Sequence, residues 1–323
     1  MTDITLQLVP PTVIVALNHL PLDRNPAAIY IASLSTERSR TVTRQALRSL
    51  ASLITGEDAH TADYLALPWS ALRYAHTAAL RSLLAEKYRP ATANRLLSAL
   101  KGVLKECWRL GMMSAEEYAR AVDIRGVRGE TIPAGRELAQ GELLALVNAC
   151  KTDTSPAGVR DAAILGLLYT CGLRRAELVA LDVEDVDLET GRLHVRAGKG
   201  NKERTSYAAG GALQALNDWL VLSGIHSGAL FIPINKGGKL SQRRMTAQSI
   251  YNLLKKRAHG ANVKDFSPHD LRRTFVGDML ERGVDIATVA KIAGHASVDT
   301  TKRYDRRPEE TKRKAAGKLH FPY

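Results

Sequence analysis

The stretch GRLHVRAGKGNKERTSYA, Gly191–Ala208, is the first place in the 323-residue chain where the pattern turns from helix to strand. Leu193 and Val195 alternate with polar residues, Gly-Lys-Gly-Asn supplies a turn, and Arg204, Ser206 and Tyr207 follow it. Alternation of period two on either side of a glycine turn reads as a β-hairpin, with Lys199 at or near its bend. Before and after this hairpin, helical spacing dominates. The fold class expected is therefore mainly α with a small β-sheet (α+β).

Working outward, SRTVTRQALRSLASLITG places Val42, Ala46, Leu47, Leu50 and Leu53 at helical spacing and stops at Gly56. LPWSALRYAHTAALRSLLAEK predicts a further helix. TANRLLSALKGVLKECWRLG predicts another, with Thr92 as cap, a stripe of Leu96, Leu97, Leu100, Leu104 and Trp108, and Gly111 at its end. Composition then shifts. Asp123–Gln140, rich in glycine and charge, has no sustained apolar period and reads as a linker. The division expected is a helical domain over 1–122, a linker over 123–138 and a second domain over 139–323. That second part opens with a helix at GELLALVNAC and a more apolar one at GVRDAAILGLLYTCGL.

Composition narrows the function. Lys and Arg number 46 against 33 Asp and Glu, a formal net charge of +13 with both domains basic. Such a balance points to a polyanionic partner, and nucleic acid fits better than a membrane because no polybasic amphipathic anchor is present. Cys107, Cys150 and Cys171 form no CxxC pair and are odd in number, so buried thiols in a reducing cytoplasm are expected rather than disulfides or a zinc site. No signal peptide is read at the N-terminus, and the longest apolar run, near Ala162–Tyr169, is too short for a membrane span.

Three further stretches carry chemistry. In FSPHDLRRTFVGDMLERG, Ser267 is a natural N-cap, Pro268 suits the first helical position, and Asp270 completes a capping-box pattern. His269 and Arg272 then share one face at the helix N-terminus, a cradle suited to phosphate. In YTCGLRRAELVALDVEDVDL, Arg174 emerges from an apolar junction with Glu177 three residues on, and Arg175 competes for any role given to Arg174. In GHASVDTTKRYDRR, His295 precedes Tyr304 by nine residues, and Lys302, Arg303, Arg306 and Arg307 surround the phenol. Taken alone, His269-x-x-Arg272 fits a surface helix with incidental charge, and Arg174 with Glu177 fits a structural ion pair.

Together, GLRRAEL, GKGNKER, HDLRRTF and GHASVDTTKRY stand in an order that resembles the signature boxes of the tyrosine recombinases, the phage-integrase and Xer-like group. The match runs over roughly Gly141–Tyr304. The helical first part is similar, less specifically, to that family's core-binding domain, so the resemblance implies a two-domain DNA clamp. It further implies that Tyr304 attacks a DNA phosphodiester to give a 3′-phosphotyrosyl link and a free 5′-hydroxyl. Arg174 and Arg272 would clamp the nonbridging oxygens, and Lys199 would protonate the leaving oxygen. His269 would serve acid–base transfer at the nucleophile, His295 would hydrogen-bond the phosphate, and Glu177 would give support. Lys202 is the alternative to Lys199 in the same turn.

The bottom-up chemistry agrees with that implication. A phenol titrates near pH 10, and nearby cations favour its ionised form. No GxxxxGK[ST] loop and no convincing Mg²⁺ carboxylate cluster is found, so neither cofactor nor metal is expected, since a covalent protein–DNA link conserves bond energy. Arg40, Arg44, Lys101, Lys105, Arg273, Lys302 and Arg303 are the candidate DNA contacts. The partner expected is a double-stranded recombination site with an inverted-repeat core. It would be bound by a homodimer, with a homotetramer in the synapse, the C-terminal tail reaching a neighbouring protomer through Leu319, Phe321 and Tyr323. Whether an accessory DNA-bending protein is needed stays open, as does the choice among dimer resolution, cointegrate resolution and integration or excision of a mobile element. Two rivals remain: a type IB-like topoisomerase, and a DNA binder of the same fold without cleavage. The place of action expected is the cytoplasm.

Overall fold

A computed structural model describes residues 20–129, 135–196, 203–235, 237–295, 297–302 and 304–305. The chain splits into two compact units, Met1–Pro133 and Ala134–Tyr323. Residues 1–19, residues 197–202 with Lys199 and Lys202, Arg303, and residues 306–323 lie outside the described residues.

The first unit is helical: α1 (Pro26–Ala32), α2 (Glu37–Thr55), α3 (Tyr74–Lys87), α4 (Pro90–Arg109) and α5 (Ala115–Val122). α4 is its centre. Leu96, Leu97, Leu100, Val103, Leu104 and Cys107 are all buried along one side of it, packed with Leu47 and Leu50 of α2 and Leu80 and Leu84 of α3. Two sequence expectations shift. α4 starts at Pro90, two residues before Thr92, because a proline at the first helical position needs no N–H partner. α3 begins only at Tyr74, since Trp69–Ala71 form a separate 3₁₀ turn that buries Trp69 and directs its indole N–H to the Tyr64 carbonyl.

The segment read as a linker is held at both of its ends. Val127 exchanges two hydrogen bonds with the Asn94 side chain, and Ile124 is buried in the first core. Beyond the undescribed 130–134, the Arg136 N–H meets Asp270 and the Leu138 N–H meets Thr274 in the second unit. Glycines and charges hid this order from the sequence because side chains distant along the chain, not local periodicity, supply the partners.

The second unit contains α6 (Gln140–Lys151), α7 (Pro156–Thr170), α8 (Arg175–Ala180), β1 (Val186–Asp187), β2 (Arg192–Val195), β3 (Arg204–Tyr207), α9 (Gly211–Ser223), α10 (Ala247–Gly260), α11 (Pro268–Glu281), α12 (Ile286–Ala293) and α13 (Val298–Lys302). α7 is the apolar centre: Ala163, Ile164, Leu165, Leu167 and Leu168 are buried against α6 and α9. Arg257 of α10 reaches Asp161 and Asp153, and Arg160 also grips Asp161, so this buried carboxylate is fully paired. The sheet is an antiparallel meander, β1-β2-β3, with Leu193 opposite Ser206 and Val195 opposite Arg204. The mainly α class with a small sheet is what the molecule has; β1, two residues long, left no periodic trace in the sequence.

All three cysteines are buried and free, and burial pushes Cys107 up to about 12 and Cys150 and Cys171 up to about 11. Among the described residues no helix is long and apolar enough to cross a membrane.

Candidate active site

Two left-handed glycines shape the site. At Gly172 (φ +56°) the chain leaves α7, and a Cβ there would lie 2.5 Å from the Phe275 ring. At Gly294 (φ +65°) it leaves α12, and a Cβ would crowd the Arg204 side chain at 2.9 Å. Only glycine takes these backbone angles without strain, and both carbonyls accept from arginines. Arg272 donates from Nη1 to Gly172, and Arg174 donates from Nη2 to Gly294 at 2.9 Å.

Arg174 caps α8. Its backbone N–H donates to Glu177 Oε2 (2.8 Å) and its Nη1 to Oε1 (2.6 Å). Arg204 of β3 donates from Nη2 to the same Oε2 (2.8 Å), and from Nε to the Ile292 carbonyl of α12 (2.9 Å). Glu177 is thus a 3 % exposed carboxylate shared by two guanidiniums. Burial alone would raise it; Arg204, with help from the Arg174 amide and side chain, holds it below the usual carboxylate range.

α11 brings the other half. Ser267 caps it, with its N–H (2.8 Å) and hydroxyl (2.9 Å) both donating to Asp270 Oδ2, while Asp270 Oδ1 accepts from Arg136 N–H. That anchored first turn presents His269 and Arg272 together. Arg272 is 3 % exposed, and its Nη2 has no hydrogen-bond partner among the described residues. Burial, then the charge of Arg174, lowers its guanidinium to about 9, still cationic at neutral pH.

Tyr304 sits against this cluster. Its hydroxyl lies 3.3 Å from His269 Nε2, its ring stacks on His295 with centroids 6.1 Å apart, and the Arg273 guanidinium lies 5.4 Å from the ring centre. His295 Nδ1 is 2.8 Å from the Thr301 hydroxyl. Burial first, then Arg272, lowers both imidazoles, His295 to about 4, so both are neutral at pH 7. Arg174 and Arg204 pair with one carboxylate, Glu177, and Arg272 adds a third guanidinium nearby. This surplus of positive charge, with a buried donor unmet, is an environment for an anion beside a phenol.

Comparison with known proteins gives the family. The model of the phage integrase family matches residues 136–310. A tyrosine recombinase XerC of Alcanivorax borkumensis is 34% identical over 248 residues, covering 73% of this chain and 76% of its own. The chain belongs to the phage integrase family. As a tyrosine recombinase it is an enzyme of site-specific recombination, similar also to XerD of Pseudomonas aeruginosa, at 34% identity over 68% of this chain and 72% of that one. At the level of fold it resembles the Tn1549 transposon integrase solved with a circular intermediate DNA (TM-score 0.65, 16% identity, 93% of this chain and 100% of that chain). It likewise resembles the XerH site-specific recombinase bound to a palindromic difH substrate (TM-score 0.61, 21% identity, 85% and 76%).

Within this recombinase, Arg174, Glu177, His269, Arg272, His295 and Tyr304 converge, while Lys199 lies outside the described residues. The expected DNA contacts divide. Arg273 is 3 % exposed, with Nη1 on the Gly135 carbonyl and its guanidinium against the Tyr304 ring. Arg44 pairs with Glu37 at 2.8 Å, Arg40 donates to the Leu34 carbonyl, and Lys101 is pinned to the Ile124 carbonyl. Lys105 is exposed, and Lys302 is exposed beside Asp299.

Arg204 was not anticipated. A signal existed: in the hairpin register it lies opposite Val195, which is 1% exposed, so both side chains share the buried face.

Proposed function

We propose that this recombinase cuts and rejoins duplex DNA through Tyr304. The observation that carries the reading is the phenol hydroxyl 3.3 Å from a neutral His269, in electrostatic reach of the buried, partly unsatisfied Arg272. In the cleavage step the Tyr304 oxygen forms a bond to phosphorus and the phosphorus–O5′ bond breaks, giving a 3′-phosphotyrosyl link. His269 accepts the phenol proton. Arg272 Nη2 and Arg174 offer donors to the nonbridging oxygens, where charge builds in the transition state. A neutral His295 that accepts the Thr301 hydroxyl on Nδ1 carries its proton on Nε2, a further donor for the phosphate. Lys199, on the resemblance alone, supplies the proton to the leaving 5′-oxygen. Attack by a 5′-hydroxyl reverses the step and rejoins the strand.

The partner is a double-stranded site with an inverted-repeat core, bound by a dimer and synapsed as a tetramer. DNA in the named complexes of XerH and the Tn1549 integrase supports the DNA partner, and the palindromic substrate of XerH supports an inverted repeat. Resolution of a replicon or cointegrate, and integration or excision of a mobile element, all fit this chemistry.

The test uses nicked suicide duplexes drawn from the DNA flanking the gene. Wild-type protein should give an SDS-resistant adduct, and Tyr304→Phe should bind the same duplex with no adduct. Tight, specific binding by wild-type protein with no adduct on any fragment would leave only a DNA-binding role.

A further inference from the structure

We propose that Arg204 is a positioning residue for strand cleavage, setting the direction of the Arg174 guanidinium by gripping Glu177 and the end of α12 at once. The inference rests on the recombinase chemistry proposed above. Arg204 touches no part of the expected phosphate position in this reading; it acts through its neighbours.

Three contacts converge on its side chain, which is 9% exposed. Nη2 takes Glu177 Oε2, Nε takes the Ile292 carbonyl, and the side chain packs under Gly294, where no Cβ could fit. Glu177 has both oxygens engaged: Oε1 by Arg174 Nη1, Oε2 by the Arg174 amide and Arg204. Without Arg204, a buried carboxylate would keep Arg174 as its only guanidinium partner and draw that side chain inward, away from a phosphate.

The second grip fixes the other end of the same guanidinium. Ile292 lies in the last turn of α12, where carbonyls lack helical partners and favour a cation. Two residues on, Gly294 gives its carbonyl to Arg174 Nη2, and His295 follows. Arg204 therefore holds both acceptors that orient Arg174, and the turn that carries His295. A lysine could keep the charge but has no planar fork to span Glu177 and Ile292 together.

The experiment measures single-turnover adduct formation by the full chain on a suicide duplex, with Arg204→Lys and Arg204→Gln beside wild type. Each is run on the natural scissile phosphate and on a methylphosphonate, in which one charged nonbridging oxygen is replaced by methyl. Arg204→Lys should cleave about tenfold or more slowly while binding DNA within about twofold of wild type. On the methylphosphonate the ratio of wild-type to variant rates should shrink, because a neutral centre asks less of Arg174; a general folding defect would slow both substrates alike. Equal ratios on the two substrates, a wild-type rate, or parallel loss of binding and cleavage would overturn the proposal. If Arg204→Gln does not fold, Arg204→Lys decides alone. Absence of an adduct with wild-type protein would instead remove the underlying reading.

Discussion

At the scale of single residues, charge surplus is what makes the site chemical. His295 faces Arg272, Arg174, His269, Arg204 and the Thr301 hydroxyl, and burial, then the guanidinium charges of Arg272 and Arg174, drive it down to about 4. Its unfolded value is near 6.5. Between those two values the unfolded chain binds the extra proton, so stability is fully present above about pH 6.5 and falls as pH drops towards about 4. Imidazole NMR titration of the DNA-free protein should place His269 and His295 both below 6.5, and His295→Asn should flatten the acid limb of a denaturant-midpoint profile. A His295 that titrates at or above 6.5 would contradict this environment. Tyr304, His269 and Arg272 were legible from their boxes. The hairpin register marked Arg204 as facing the core, but its role was hidden because its partners, Glu177 and Ile292, lie 27 and 88 residues away in sequence and no local spacing encodes that meeting.

At the scale of elements, the junctions matter more than the helices they join. The apolar stripes of α2 and α4 could be read directly, because helical period marks a buried face, although Trp108 at the end of the α4 stripe is exposed; α7 was legible only as a more apolar run. Their starts were harder: Pro90 displaced Thr92, and a 3₁₀ turn at Trp69 delayed α3. The α7–α8 junction shows how an element end becomes functional. Gly172 combines a positive φ, a close Phe275 ring and a carbonyl that holds Arg272. Gly172→Ala should destabilise the protein by about 2–4 kcal/mol, from left-handed strain plus overpacking, and slow cleavage besides. Thermal or urea unfolding checks it; a change below about 0.5 kcal/mol would mean the junction has room to relax.

At the scale of the whole molecule, each unit has its own apolar core, and the net charge of +13 favours a polyanion. A duplex partner makes affinity fall linearly with salt on logarithmic axes, by on the order of 10³-fold or more between 50 and 200 mM for six or more phosphate contacts. Filter binding or anisotropy over that range measures it. Lys105→Ala, which removes an exposed charge, should lower the slope by about one, whereas Lys101→Ala, whose amine already sits on the Ile124 carbonyl, should leave it nearly unchanged. Equal effects from both would show that burial and pairing in the first unit do not select its DNA contacts. The central claim, that Tyr304 is the nucleophile, is met most directly by mapping the covalent link: the SDS-resistant adduct is digested with protease and nuclease and the nucleotide-bearing peptide sequenced by mass spectrometry. The expected result is a 3′-phosphoryl nucleotide on Tyr304. A nucleotide on any other residue, or attached through its 5′ end, would contradict it.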